Sequence, residues 1–192
     1  GEAQITLTVT PAERAQAQPP APEQTEPVTA AFQARGRIGV TLDEVRFFLE
    51  PGVPLLIPLQ VTNQGLANDR FTLRLESNDI PAGWVSIQPA FVDLRSGQKQ
   101  TLQVQILAPK KHSSKAGRYP FTLVVQSAQH PEMKTSVDCI LTVRMFSLPA
   151  DVQVSPLQVF AGQPVYVKVE NKSNTAETYA VTWTGLDSDK LT

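Results

Sequence analysis

Cysteine is almost missing from this 192-residue sequence: Cys139 is the single one. That excludes an intrachain disulfide framework and any multi-cysteine metal site, so the fold must rest on its apolar core. An excess of one charge is missing as well. Seventeen Lys and Arg against eighteen Asp and Glu leave a net charge of −1, which supplies no basic face for nucleic acid or for anionic lipid. Long apolar runs are also absent. The longest, such as LLIPL at 55–59, fall far short of the roughly 18 residues that cross a bilayer, and the opening residues carry no signal-peptide pattern. No window of a dozen residues shows an apolar stripe at i, i+3, i+4 and i+7 without a breaker, which argues against helices. The sequence opens on Gly1 inside a strand-like stretch, and the expectation is an internal piece of a longer protein.

What the chain does have in excess is proline, 16 residues, above the average usage of about 5%. Five fall between Pro11 and Ala34, in a stretch dominated by Pro, Gln, Ala and Glu with no apolar period. Residues 11–35 are therefore expected to be a semi-extended linker, spanning at most ~75 Å at about 3.1 Å per residue.

From Gly36 to Phe146 the pattern turns to short runs of period-two alternation separated by turn signals, the mark of an all-β sandwich. Leu55, Ile57, Leu59 and Val61 fall on one face of a first strand, and Phe71, Leu73 and Leu75 on one face of the next. Further strands are predicted at 101–107, 119–125 and 137–143, with less regular ones at 38–49 and 84–94, about seven in all. Pro58 interrupts its strand and predicts an edge, a bulge or a change of pairing there.

A repeat extends this reading. VFAGQPVYVKVENKSNTAETYAVTW at 159–183 matches FLEPGVPLLIPLQVTNQGLANDRFTL at 48–73, with the same spacing from Asn63 to Phe71 as from Asn171 to Tyr179. ITLTVTP at 5–11 resembles CILTVRM at 139–145. The expected organisation is the last strand of a preceding domain at 1–10, the linker at 11–35, one complete sandwich at 36–146, and the N-terminal half of a further domain at 147–192. Val165, Val167, Val169, Tyr179, Val181 and Trp183 of that half are expected to be poorly covered, forfeiting roughly 1.5–3 kcal/mol per side chain. The short segment 145–150, with Phe146 and Leu148, is expected to make a stiffer junction than the proline-rich one.

The order of EPGVPLLIPLQVTN (50–63), DIPAGWVSIQPAFVDLRSGQKQTLQVQILAPKK (79–111) and AGRYPFTLVVQS (116–127) resembles the bacterial immunoglobulin-like repeat associated with NPCBM modules and α-galactosidases, related in style to CARDB-like cell-adhesion repeats. The resemblance rests on V-x-N at 61–63, on Pro81, Gly83 and Trp84, on Gly97, and on Gly117-x-Tyr119-x-Phe121. These are fold determinants, and no functional residue carries over. The resemblance implies tandem immunoglobulin-like β-sandwich domains in an exported bacterial protein, extracellular or at the cell surface.

Candidate chemistry is sparse. Asp43 with Glu44, Glu76 with Asp79, and Asp93 with Asp138 are the carboxylates to weigh for glycoside hydrolysis, which needs a pair about 5–9 Å apart; a solvated surface is the reading for each. Asn68, Asp69, Asn78 and Asp79 do not follow the calcium-loop pattern. His112 and His130 lack a second histidine or a cysteine to complete a metal set. Cys139 shares a face with Val137 and Leu141 and reads as core. Lys110, Lys111, His112, Lys115 and Arg118 form a basic loop that reads as solvated, and Trp84 reads as a cap on the core rather than a sugar platform. No catalytic, cofactor-binding or metal residue is assigned, no cofactor is expected, and the chain is read as non-enzymatic. The expected role is a structural spacer and protein-interaction module, alternatively a carbohydrate-binding accessory module of a glycoside hydrolase. Its expected partners are neighbouring domains of the same chain and protein or glycan at the cell surface, without nucleic acid or direct membrane insertion.

Overall fold

Alternation dictates the architecture: strands whose every second residue is apolar must pair those faces across two sheets. The computed structural model describes residues 6–11, 38–157 and 163–184; most of the proline-rich stretch, 12–35, lies outside them. All its strands are β, joined by turns and one short 3-10 turn at Ala82–Trp84. The chain divides into two units, Gln24–Phe146 and a second made of Gly1–Glu23 with Ser147–Thr192.

Among the described residues the first unit contains nine strands: β2 (Ile38–Thr41), β3 (Arg46–Leu49), β4 (Leu55–Asn63), β5 (Asp69–Glu76), β6 (Val85–Gln88), β7 (Phe91–Leu94), β8 (Lys99–Ile106), β9 (Gly117–Ser127) and β10 (Lys134–Val143). They form a four-stranded sheet, β2-β4-β8-β6, and a five-stranded sheet, β3-β10-β9-β5-β7. All pairings within the unit are antiparallel except β10 with β3, where Ile140–Val143 run parallel to Arg46–Leu49. That parallel patch is extended by the amides of Ile140 and Arg144, which donate to the carbonyls of Val45 and Leu49 at 2.8 and 2.9 Å.

Two of the predicted strands divide. Residues 38–49 supply β2 to one sheet and β3 to the other, and residues 84–94 do the same with β6 and β7. This is how seven predicted segments become nine strands without a change in which residues face inward. Pro58 sits where β4 has a neighbour on one side only: β8 pairs along Leu55–Thr62, whereas β2 reaches only Gln60–Asn63. The missing proline donor therefore falls on an open edge.

The core is closed. Ile57, Leu59, Val61, Leu102, Val104 and Ile106 of the four-stranded sheet are fully buried, against Phe71, Leu123, Val125 and Leu141 of the other. Phe47 and Phe121 meet at 6.1 Å between ring centroids. Val124 departs from the alternation: it belongs to the outward set with Thr122 and Gln126, yet is buried between its cross-strand neighbours Arg74 and Ser136.

The second unit consists of β1 (Thr6–Pro11) paired antiparallel with β13 (Tyr179–Thr184), and β11 (Asp151–Ser155) paired antiparallel with β12 (Tyr166–Glu170). Its apolar faces are less covered. Val165, Val167, Val169 and Tyr179 are half-buried and Val181 is 43% exposed. Among the described residues of this unit, the fully buried ones are Ser173 and Asn174.

Candidate interaction surfaces and a repeated structural hub

Asn63, at the end of β4 and 1% exposed, carries a dense polar network. Its side-chain Oδ1 accepts from the Gly65 amide at 2.9 Å, and its Nδ2 donates to the carbonyls of Ala67 (2.8 Å) and Leu94 (2.9 Å). Its own amide donates to Gln98 O and its carbonyl accepts from the Gly97 amide. One asparagine thus ties the β4–β5 turn to the β7–β8 turn. Gly97 holds φ at +74°, left-handed backbone that a side chain would strain, which accounts for glycine at that turn.

Asn171 repeats this arrangement in the second unit. Its Nδ2 donates to Thr175 O at 2.7 Å, and its Oδ1 accepts from the Ser173 amide at 2.8 Å. The offsets, four residues on and two residues on, are those of Asn63. Ser173 Oγ in turn accepts from the Leu148 amide at 2.9 Å and donates to the Leu148 carbonyl at 3.3 Å, which fixes the chain leading into β11.

The carboxylates singled out from the sequence are distributed over the surface, and Asp69, Glu76, Asp93 and Asp138 make local hydrogen bonds. Asp93 receives both the Nε and an Nη of Arg70, at 2.8 and 3.0 Å, while the Arg70 guanidinium lies 4.5 Å from the Phe91 ring centroid. The hydrogen bond from Arg70 holds the Asp93 carboxyl below its ordinary pKa, and the same bond raises that of Arg70. Glu76 accepts from Arg74 at 2.7 Å, and Asp138 accepts from the Thr122 hydroxyl at 2.8 Å. Glu76, Asp79 and Asp138 border one shallow hollow with Arg46, and Asp69 and Asp93 border another with Arg70 and Arg95. Asp43 and Glu44 lie in the exposed link between β2 and β3. Among the described residues, no group of three His, Cys, Asp or Glu side chains is close enough to hold a metal ion.

His130 lies 3.4 Å from Glu132 on the surface. In the basic loop, Lys115 Nζ approaches His112 Nε2 to 2.6 Å, and Lys110 Nζ sits 5.8 Å from the Phe146 ring centroid. The loop has its own frame: buried Ser114 donates to Pro109 O at 2.6 Å, and the Tyr119 hydroxyl donates to Lys115 O at 2.6 Å. Trp84 is half-buried, packed on the core and 6.1 Å from Tyr119 between ring centroids. Burial pushes the Cys139 thiol up to about 12, with the neighbouring Asp138 charge adding to the effect, so the group is a core thiol and a poor nucleophile. Every buried side-chain N or O among the described residues has a hydrogen-bond partner. Sequence reasoning took V-x-N as a repeat mark and missed that its asparagine is the hub of two turns; a polar residue closing a strand of inward-facing apolar ones was the available signal.

No protein-family model matches the sequence, and no curated protein matches it. Solved structures similar to the chain are distant. An ASH/PapD-like domain of human CEP192 is 15% identical, with 69% of this chain and 96% of that one covered and a TM-score of 0.40. A family 123 glycoside hydrolase from Clostridium perfringens is 10% identical over 59% of this chain and 28% of the other, with a TM-score of 0.49. The SrpA adhesin of Streptococcus sanguinis is 10% identical over 58% and 60%, with a TM-score of 0.43. The chain's own strands and its two facing sheets make it an all-β protein of the immunoglobulin-like sandwich type.

Proposed function

We propose that the chain is a non-catalytic spacer and protein-interaction segment of a larger bacterial cell-surface or secreted protein, built from tandem sandwiches of the kind associated with NPCBM modules and α-galactosidases. The observation that carries this reading is the repeated hub: Asn63 and Asn171 make the same two local hydrogen bonds at the same offsets. The register repeats too, since Val40 pairs with Val61 and Val152 with Val169, two residues before each asparagine. Recurring structural modules suit a scaffold, whose task is to hold other parts at a distance and offer sheet edges to partners.

A glycan array probed with the full chain tests the proposal, with Trp84→Ala as control. The expected result is no retained glycan for either protein. Tight glycan binding abolished by Trp84→Ala would overturn the spacer reading in favour of a carbohydrate-binding accessory module.

A further inference from the structure

The pairing of β1 with β13 can be placed within the repeat. Asn63 precedes Phe71 by eight residues, as Asn171 precedes Tyr179, so β13 occupies in the second unit the place of β5 in the first. In the first unit β5 pairs with β9 through six positions, from Phe71 opposite Ser127 to Glu76 opposite Thr122. In the second unit β13 pairs with β1 through six positions, from Tyr179 opposite Pro11 to Thr184 opposite Thr6. Both pairings are antiparallel and span the same six positions of the repeated strand, and a slip of one residue would exchange that strand's two faces.

The same alignment, imposed by the backbone pairing of residues 6–11, sets TLTVTP (6–11) against TLVVQS (122–127). Thr, Leu and Val coincide at Thr6 and Thr122, Leu7 and Leu123, and Val9 and Val125. Geometry and sequence therefore give one answer independently. It differs from the likeness of 5–11 to the last strand, β10, which a common alternation of Leu and Val also produces.

We propose that the edge of β13 is a strand-acceptor site and that residues 6–11 of the same chain are its occupant, serving the second unit as its β9-type strand. The ligand class is an extended segment of the pattern Thr-Leu-x-Val, recognised by antiparallel main-chain pairing. This goes beyond the spacer role and does not depend on it: the two ends of the chain belong to one sandwich unit, with the nine-stranded unit between them in sequence. The entropic cost of closing so long a connection grows only with the logarithm of its length.

Hydrogen exchange on the full chain tests the site. Thr8→Pro and Val9→Pro each delete a backbone donor, and alternation of the ladder ensures that one of the two is a cross-strand donor. At least one variant is expected to lose protection of the 179–184 amides by tenfold or more, with Val9→Ile retaining it and the amides of β4 and β9 serving as an unaffected internal reference. A peptide of residues 4–12, added in excess to the proline variant, is expected to restore protection, and a scrambled peptide is not. Unchanged protection in both proline variants, or equal rescue by the scrambled peptide, would overturn the proposal. So would a dimeric mass for the wild-type chain at micromolar concentration that becomes monomeric in the proline variant, because the occupant would then come from a second copy.

Discussion

Replacing Asn63 by Ala removes three side-chain hydrogen bonds of 2.8–2.9 Å from a site that is 1% exposed. Each such bond contributes about 1 kcal/mol net, and any partner left buried without a substitute adds to the loss. Water can reach the exposed Ala67 side of the turn more readily than the Leu94 carbonyl, since Leu94 is itself buried. The expected cost is therefore about 3 kcal/mol, which for a unit of this size lowers its melting temperature by roughly 10–15 °C. Urea unfolding of the full chain reads it, with Trp183→Phe in the background so that Trp84 reports alone. Asn63→Asp sharpens the test: it keeps the acceptor for Gly65 but sets a carboxylate against two carbonyls, so it should be at least as destabilising at pH 7. It should recover in acid, where the protonated form can donate. A loss below about 1 kcal/mol for Asn63→Ala would refute the view that this side chain holds the two turns together.

Val61→Ala and Val169→Ala form a matched pair at equivalent positions, the first fully buried and the second half-buried; hydrogen exchange of each unit should show a loss of about 2–3 kcal/mol for the first and less than half of that for the second. With its pKa pushed to about 12, against about 8.5 for a free thiol, Cys139 should have roughly a thousandfold less thiolate at pH 8, and a thiol reagent should label it at the rate at which the unit opens. The Asp93 carboxyl is held below its ordinary pKa by Arg70, so the pair stabilises above the unfolded pKa and the contribution is lost as pH falls through the folded one. Urea midpoints of wild type and Asp93→Asn should accordingly converge in acid, and a gap that widens there would contradict the assignment.

The inward faces were legible because alternation records which side of a strand is apolar: Ile57, Leu59 and Val61 read directly as core. Alternation does not record which of two sheets a strand joins. Residues 38–49 and 84–94 each read as one strand, and each changes sheet midway, a choice made by pairing partners far away in sequence. Val124 falls in the outward set by alternation and is buried, opposite Arg74, whose guanidinium donates to Gln126. ITLTVTP shows the same limit from another side. Its short Leu and Val alternation fits more than one strand of the repeat, and only register separates them.

The parallel contact between β3 and β10 bears on how the first unit would carry a load. Pulled at the start of β3 and at the end of β10, the unit is loaded along these two strands in opposite directions. Because the two run side by side in the same direction, these forces slide one strand along the other. The hydrogen bonds from Val45 to Arg144 then resist together instead of opening one at a time, as they would in an antiparallel pair pulled from adjacent ends. A short patch of ladder can in this way act as a mechanical fuse. The unit would give way under stretch when this patch shears as a whole, and Phe48 and Arg144, whose ring and guanidinium meet at 5.7 Å beside that patch, are where tuning its strength would begin.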